Sequence, residues 1–315
     1  MSALSQALAQ YVAVRRALGT KLWEPARTLQ QFVGFLEDRR ARFITSELAL
    51  QWAMLPNNVQ RATWARRLSM VRRFAMWLSA TDPRTQVPPA RLISGRRRRN
   101  PPHIFTDHEV KQLMIEASRL SSATGLCART YTTIIGLLAS TGLRPGEVLT
   151  LARPDVDLQN GILLIRETKF GKSRFVPLHD STRCALSDYA MRRDKVGICL
   201  QSEAFFVTEI GRPLSACTAR RTFARISRAT GLRAPKGPGQ VGRGPRLQDF
   251  RHTFTTRKLV EWYRAGLDVE RELPKLSTYL GHSDVTHTYW YISADPELLQ
   301  LATKYLCGRR PGGDQ

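Results

Sequence analysis

Acidic residues are scarce. Asp plus Glu number 26 against 49 Lys plus Arg, which leaves the 315-residue chain at +23. Cysteine is scarcer still: five residues, at 127, 184, 199, 217 and 307, with no two at C-x-x-C spacing. An odd count in that pattern argues against a disulfide framework and against a zinc site, and fits scattered thiols in a reducing cytoplasm. Long apolar runs are missing too, since nothing approaches the roughly 18 residues a membrane-spanning helix needs. The opening MSALSQALAQYVAVRR lacks a basic n-region, an apolar core and a cleavage site, so no signal peptide is expected. There is no HExxH, no GxxxxGK[ST] and no carboxylate cluster suited to two magnesium ions. No metal and no cofactor are expected.

Positive charge is what the chain has in excess. A hydrophobic content of 42% is enough to build cores, which excludes a disordered basic tail. The length suggests two domains. Residues 1–104 carry +13 and the remainder +10, so both halves are basic. Self-repulsion on this scale is costly unless a polyanion neutralises it. Nucleic acid is the first candidate, and the missing apolar segments weaken an anionic membrane as the second.

Apolar spacing of three and four residues predicts helices at Leu4–Leu18, Pro25–Asp38, Ser46–Met54 and Val59–Ala80. The fourth also carries Arg61, Arg66, Arg67, Arg72 and Arg73 as candidate phosphate contacts. Thr81 to Pro102 holds five prolines, one glycine and the run Arg96, Arg97, Arg98 and Arg99. It reads as a linker whose cationic strap suits a phosphate backbone. The expected division is a helical DNA-binding domain over 1–90, a basic linker over 91–104 and a second domain over 105–315. That second domain opens on Thr106-Asp-His-Glu109, a helix start with cap and capping-box glutamate. Helices are expected at Thr130–Ser140, Glu147–Leu151, Ser181–Arg193, Ser215–Thr230, Thr253–Ala265 and Glu297–Leu306. Gly161–Arg166 and Phe175–Leu178 read as a β-pair around a polar turn at Lys169 to Ser173. The fold class is therefore mainly α with a small antiparallel β-sheet. The stretch from Trp262 to Leu273 is open between an extended helix and a loop.

Breaking a phosphodiester without a metal needs guanidiniums for the anionic phosphorus centre, an acid for the leaving oxygen and a nucleophile. Four segments offer these groups. Thr141-Gly-Leu-Arg-Pro-Gly-Glu-Val-Leu-Thr-Leu151 resembles the first arginine box of the tyrosine recombinase, or phage integrase, family. Thr168-Lys-Phe-Gly-Lys-Ser-Arg-Phe-Val-Pro-Leu178 resembles its β-hairpin, with Thr168 and Phe170 where glycines are frequent. Leu247-Gln-Asp-Phe-Arg-His-Thr-Phe254 resembles its second box, with Gln248 in place of the first histidine. Leu280-Gly-His-Ser-Asp-Val-Thr-His-Thr-Tyr-Trp-Tyr-Ile292 resembles its third box and nucleophile.

The resemblance implies a helical core-binding domain, an α+β catalytic domain and a site-specific recombinase of a mobile element. Arg144, Arg251, His282 and Gln248 would hold the phosphate, with Glu147 orienting Arg144 and His252 supporting the site. Lys169 falls on the catalytic lysine, and Lys172 in the same turn becomes a DNA contact. Tyr291, nine residues beyond His282, falls on the nucleophile, and Tyr289 becomes a packing residue. Tyr291 would form a 3′-phosphotyrosine without metal or ATP. The two basic domains would clamp duplex DNA in the bacterial cytoplasm, at the nucleoid. Four copies would act on two DNA sites, with sister recombinases of the same element as further partners. A type IB topoisomerase-like relaxing enzyme shares the nucleophile, and a silent DNA-binding relative shares the clamp. Glutamine donates a hydrogen bond but is no base near neutral pH, so Gln248 keeps the silent reading open.

Overall fold

A computed structural model describes residues 2–20, 22–95, 101–166, 173–197, 202–234, 244–281 and 296–308. The chain divides into two compact units, residues 1–100 and 101–315.

The first unit is built on α1 (Ala3–Ala17), α2 (Trp23–Asp38), α3 (Ser46–Met54) and α4 (Arg61–Leu78). Ser2 and Thr45 cap α1 and α3, their hydroxyl oxygens accepting from the Ser5 and Leu48 N–H groups. Each helix turns one stripe inward, and Phe32, Leu36, Trp52, Val71 and Phe74 are essentially closed to solvent. Burying each such side chain stabilises the unit by about 1.5–3 kcal/mol. The rings of Phe32 and Trp52 lie 5.1 Å apart, and Tyr11 lies 5.4 Å from Phe74. Prolines deny the stretch after α4 regular structure, yet over 82–95 it packs on this unit. The Gln86 N–H donates to the Ile44 carbonyl at 2.8 Å, and its side-chain oxygen accepts from the Ser46 N–H at 3.0 Å. Thr85 is buried and Ile93 packs on the same core.

The second unit runs α5 (Asp107–Ser118), α6 (Leu126–Thr141), α7 (Pro145–Leu149), β1 (Val156–Asp157), β2 (Ile162–Ile165), β3 (Arg174–Pro177) and α8 (Asp180–Lys195). It continues with α9 (Ala216–Ala229), α10 (Asp249–Arg264), α11 (Val269–Leu280) and α12 (Pro296–Gly308). Thr106 and Glu109 form the expected capping box at α5. The antiparallel sheet has the order β1-β2-β3, with Ile165 opposite Arg174 at the end where the chain passes from β2 to β3. The described residues are thus mainly helical around a small antiparallel sheet, as the sequence predicts.

Phe105, Phe206, Phe223 and Phe250 anchor the main core, and Phe105 stacks on Phe250 at 4.3 Å. A second cluster gathers Leu259 of α10, Leu273, Leu276 and Leu280 of α11, and Leu298 of α12. The terminal helix therefore packs on its own unit here, and Arg264 pairs with Glu297 at 2.6 Å. The stretch left open from Trp262 resolves into the end of α10, a turn through Gly266, and α11 capped by Asp268. Pro274 lies inside α11, which hid the helix from a reading by pattern. Among the described residues no helix is long and apolar enough to cross a membrane.

Candidate active site

The Thr141–Leu151 segment forms a tight corner. Gly142 ends α6 in the left-handed region at φ +62°, and Arg144 becomes the N-cap of α7 with Pro145 in the first turn. The corner brings the Glu147 carboxylate back onto Arg144. The Arg144 N–H donates to Glu147 Oε2 at 3.0 Å and its Nη1 donates to Oε1 at 2.8 Å. Arg144 Nη2 donates to the Gly281 carbonyl at 3.0 Å, across 137 residues of sequence.

Two more arginines join it. Arg174, at the start of β3, donates Nη1 and Nη2 to Glu147 Oε1 and Oε2 at 3.2 and 2.9 Å, and Nε to the Tyr279 carbonyl at 2.7 Å. Arg251, in the first turn of α10, donates to the Gly142 carbonyl at 3.1 Å and to the Leu280 carbonyl at 2.6 Å. Arg174, Arg251 and Arg144 thus grip the consecutive carbonyls of residues 279, 280 and 281. These are carbonyls that the end of a helix leaves without intrahelical partners. The residue that follows is His282.

Among the described residues three guanidiniums, Arg144, Arg174 and Arg251, gather with the Glu147 carboxylate, a cationic grouping suited to an anionic ligand. Burial pushes the Glu147 carboxyl up, but the hydrogen bond and charge of Arg174, then Arg144, outweigh it and hold the group below its ordinary range. Arg144 is the more open of the pair on this carboxylate, its side chain 30% exposed against 11% for Arg174. Arg251 is 1% exposed.

Gln248 precedes α10 and is half-buried, and its carbonyl accepts from the Arg251 N–H at 3.2 Å. Asp249 beside it is buried and accepts from the backbone and guanidinium of Arg246 at 2.8 and 2.9 Å. Burial lowers His252 to about 4, so it is neutral near pH 7. Burial raises Tyr279 to about 12, and its ring stacks on Phe254 at 5.7 Å. Tyr279 is a packing residue whose carbonyl serves the site.

The structure brings together Arg144, Glu147 and Arg251 from the sequence-predicted set. Gln248 is the N-cap of α10 and His252 lies in its first turn. Lys169, Lys172, His282, Tyr289, Tyr291 and Arg96, Arg97, Arg98 and Arg99 lie outside the described residues. Arg174 was missed. The signal for it was its place within the Thr168–Leu178 segment that resembles the family's β-hairpin, where it was given no role.

The basic surface is sorted as well. In α4, Arg61 and Arg73 are exposed, Arg72 is half-buried and Arg66 pairs with Glu24 at 2.5 Å. Arg67 is turned inward. Its guanidinium lies 3.8 Å over the Trp52 ring and donates to the Trp52 carbonyl at 3.0 Å. A second basic face was not foreseen: α9 exposes Arg220, Arg221, Arg225 and Arg228 while Ala219, Phe223 and Ile226 are buried on its other side.

Residues 103–297 match the model of the phage integrase family. The chain is 43% identical over 310 residues to a Sinorhizobium fredii protein named as an integrase/recombinase, y4rB, covering 97% of this chain and 98% of that one. It is 29% identical over 260 residues to the tyrosine recombinase XerD of Caulobacter vibrioides, covering 80% and 77%. Among solved structures it is similar to the Tn1549 transposon integrase in complex with transposon right end DNA. That likeness has a TM-score of 0.66 at 17% identity, covers 98% of this chain and 99% of that one, and is one of fold.

Proposed function

The chain belongs to the phage integrase family of tyrosine recombinases, and on that premise we propose that it cuts and rejoins duplex DNA through a 3′-phosphotyrosine intermediate. The observation that carries the proposal is the convergence of Arg144, Arg174 and Arg251 on the three carbonyls just before His282. That convergence ties Arg144 and Arg251, the arginines assigned to the phosphate, to the segment that carries Tyr291.

Tyr291 gives up its phenol proton to solvent as it attacks the scissile phosphorus, and the bond to the 5′ oxygen breaks. Arg144, Arg251, His282 and Gln248 stabilise the charge that builds on the non-bridging oxygens. Lys169 gives its proton to the leaving 5′ oxygen. The phosphotyrosine conserves the energy of the broken bond, so a 5′ hydroxyl can reverse the step. Guanidiniums supply the charge and lysine the proton, so the scheme calls for no metal and no nucleotide.

Both units contribute to binding. Arg61, Arg66, Arg72, Arg73, Lys172 and the four arginines at 96–99 contact phosphates, together with the exposed face of α9. Arg67 serves the helical unit by packing on Trp52. Phosphate contacts of this kind make affinity fall steeply with salt. Four copies assemble on two DNA sites at the bacterial nucleoid, with sister recombinases of the same element as further partners.

Nicked suicide substrates test the proposal. Cleavage beside the nick releases a short fragment and traps the protein on DNA. Trapping by the wild type, its loss in Tyr291→Phe and its retention in Tyr289→Phe are expected. Binding without any trapping is the outcome for a silent relative, the reading that Gln248 keeps open. Relaxation of a supercoiled plasmid without strand exchange is the outcome for a topoisomerase-like enzyme.

A further inference from the structure

We propose that Arg174 is a positioning residue for the reaction: through Glu147 it fixes the guanidinium of Arg144, and through the Tyr279 carbonyl it fixes the end of α11. The inference rests on the reading of Arg144 as a phosphate-binding residue.

Arg174 is committed to contacts inside the protein. Each of its three guanidinium nitrogens is engaged inside the protein, Nε by Tyr279 O at 2.7 Å and the two Nη by Glu147 at 3.2 and 2.9 Å. Its side chain is 11% exposed. The Glu147 carboxylate takes four donors, two from Arg174 and two from Arg144. A forked guanidinium fixes the plane of a carboxylate, which a single contact does not. That plane sets where Oε1 lies, and Oε1 sets where Arg144 Nη1 lies.

Gly281 gives a second, independent observation. It sits at φ +66°, and a Cβ there would fall 2.8 Å from Arg174 Nη1 and 3.1 Å from its Cζ. The left-handed backbone holds the residue before His282 to glycine, and a side chain there would also displace the Arg174 guanidinium. Arg174 also starts β3, opposite Ile165. One side chain therefore joins the sheet, the Arg144–Glu147 corner and the end of α11.

A phosphate whose charge has been removed tests this role. Replacing one non-bridging oxygen of the scissile phosphate by methyl gives a neutral methylphosphonate, which no longer needs the cation that Arg144 supplies. Arg174→Gln and Arg174→Lys are compared with wild type and Arg144→Ala on nicked substrates carrying either group, and DNA binding and melting are measured on the same preparations. Arg174→Gln is expected to slow cleavage of the phosphodiester about 100-fold, the scale of a misplaced binding group. On the methylphosphonate its deficit shrinks to less than about fivefold, in parallel with Arg144→Ala. Arg174→Lys keeps the charge without the fork and falls between. It carries the comparison if Arg174→Gln does not fold. Equal deficits on both substrates, or no deficit on the phosphodiester, overturn the proposal. Absence of wild-type trapping on either substrate overturns instead the recombinase reading on which it stands.

Discussion

Phe254 occupies the space that a side chain at Gly142 would need. A Cβ there would fall 2.5 Å from Phe254 Cδ1, at a residue whose φ is +62°. The close approach brings α6 against α10, and it lets Arg251 reach the Gly142 carbonyl at 3.1 Å. Gly142→Ala therefore meets both a left-handed backbone and an overfilled contact. The expected loss is about 2–4 kcal/mol, read from the urea midpoint. Trapping falls as well, because the carbonyl that aligns Arg251 moves.

Glu147→Gln removes the carboxylate that Arg144 and Arg174 share. Leaving a buried guanidinium uncompensated costs about 3–5 kcal/mol at neutral pH, measurable by denaturant unfolding. The variant also alters the acid limb. The folded carboxyl is held below its ordinary value of 4.5, so the unfolded chain binds the proton first. The contribution of the carboxylate is complete above pH 4.5 and drains away as the pH falls through the folded value. Wild-type stability should therefore drop more steeply below pH 4.5 than that of Glu147→Gln.

His252 acts in a separate window. Burial lowers it from 6.5 to about 4, so between those values the unfolded chain takes up the proton and the folded chain does not. Stability should decline as the pH falls from 6.5 towards 4. In His252→Gln the urea midpoint should change less between pH 7 and pH 5 than in wild type. An identical change in both would contradict the burial of a neutral imidazole.

Two arginines of α4 should separate packing from binding. Arg67 stacks on Trp52, so Arg67→Ala should cost about 1–2 kcal/mol of stability in the helical unit and leave the salt dependence of DNA binding nearly unchanged. Arg73 is exposed, so Arg73→Ala should leave stability alone and lower the slope of log affinity against log salt by about 1.

Much of the fold was legible because helices repeat their apolar positions. The four helices of the first unit, and Thr106 with Glu109 at α5, follow from spacing and capping alone. α11 was not legible, since Pro274 interrupts its pattern and its partners Leu259 and Leu298 lie on other helices. In the site, Arg144, Glu147 and Arg251 stood out because their neighbours form distinctive boxes. Arg174 did not, since its importance lies in partners 27 and 105 residues away that only folding assembles. The inward turn of Arg67 was hidden for the same reason. A sequence shows an arginine on a helix but not the tryptophan beneath it. The α9 helix was expected over Ser215–Thr230, but its basic face is defined only by the burial of Phe223 and Ile226 on the opposite side.

The central claim is that Tyr291 becomes joined to a 3′ phosphate. The most direct measurement traps the protein on a nicked duplex, labelled in separate preparations on either side of the scissile phosphate, and maps the adduct by protease digestion and mass spectrometry. The account predicts that the strand ending in the 3′ phosphate stays with the protein, that the released strand bears a 5′ hydroxyl, and that the modified peptide carries the phosphate on Tyr291. An adduct on Tyr289, a linkage to the 5′ side, or DNA bound without any adduct would contradict it.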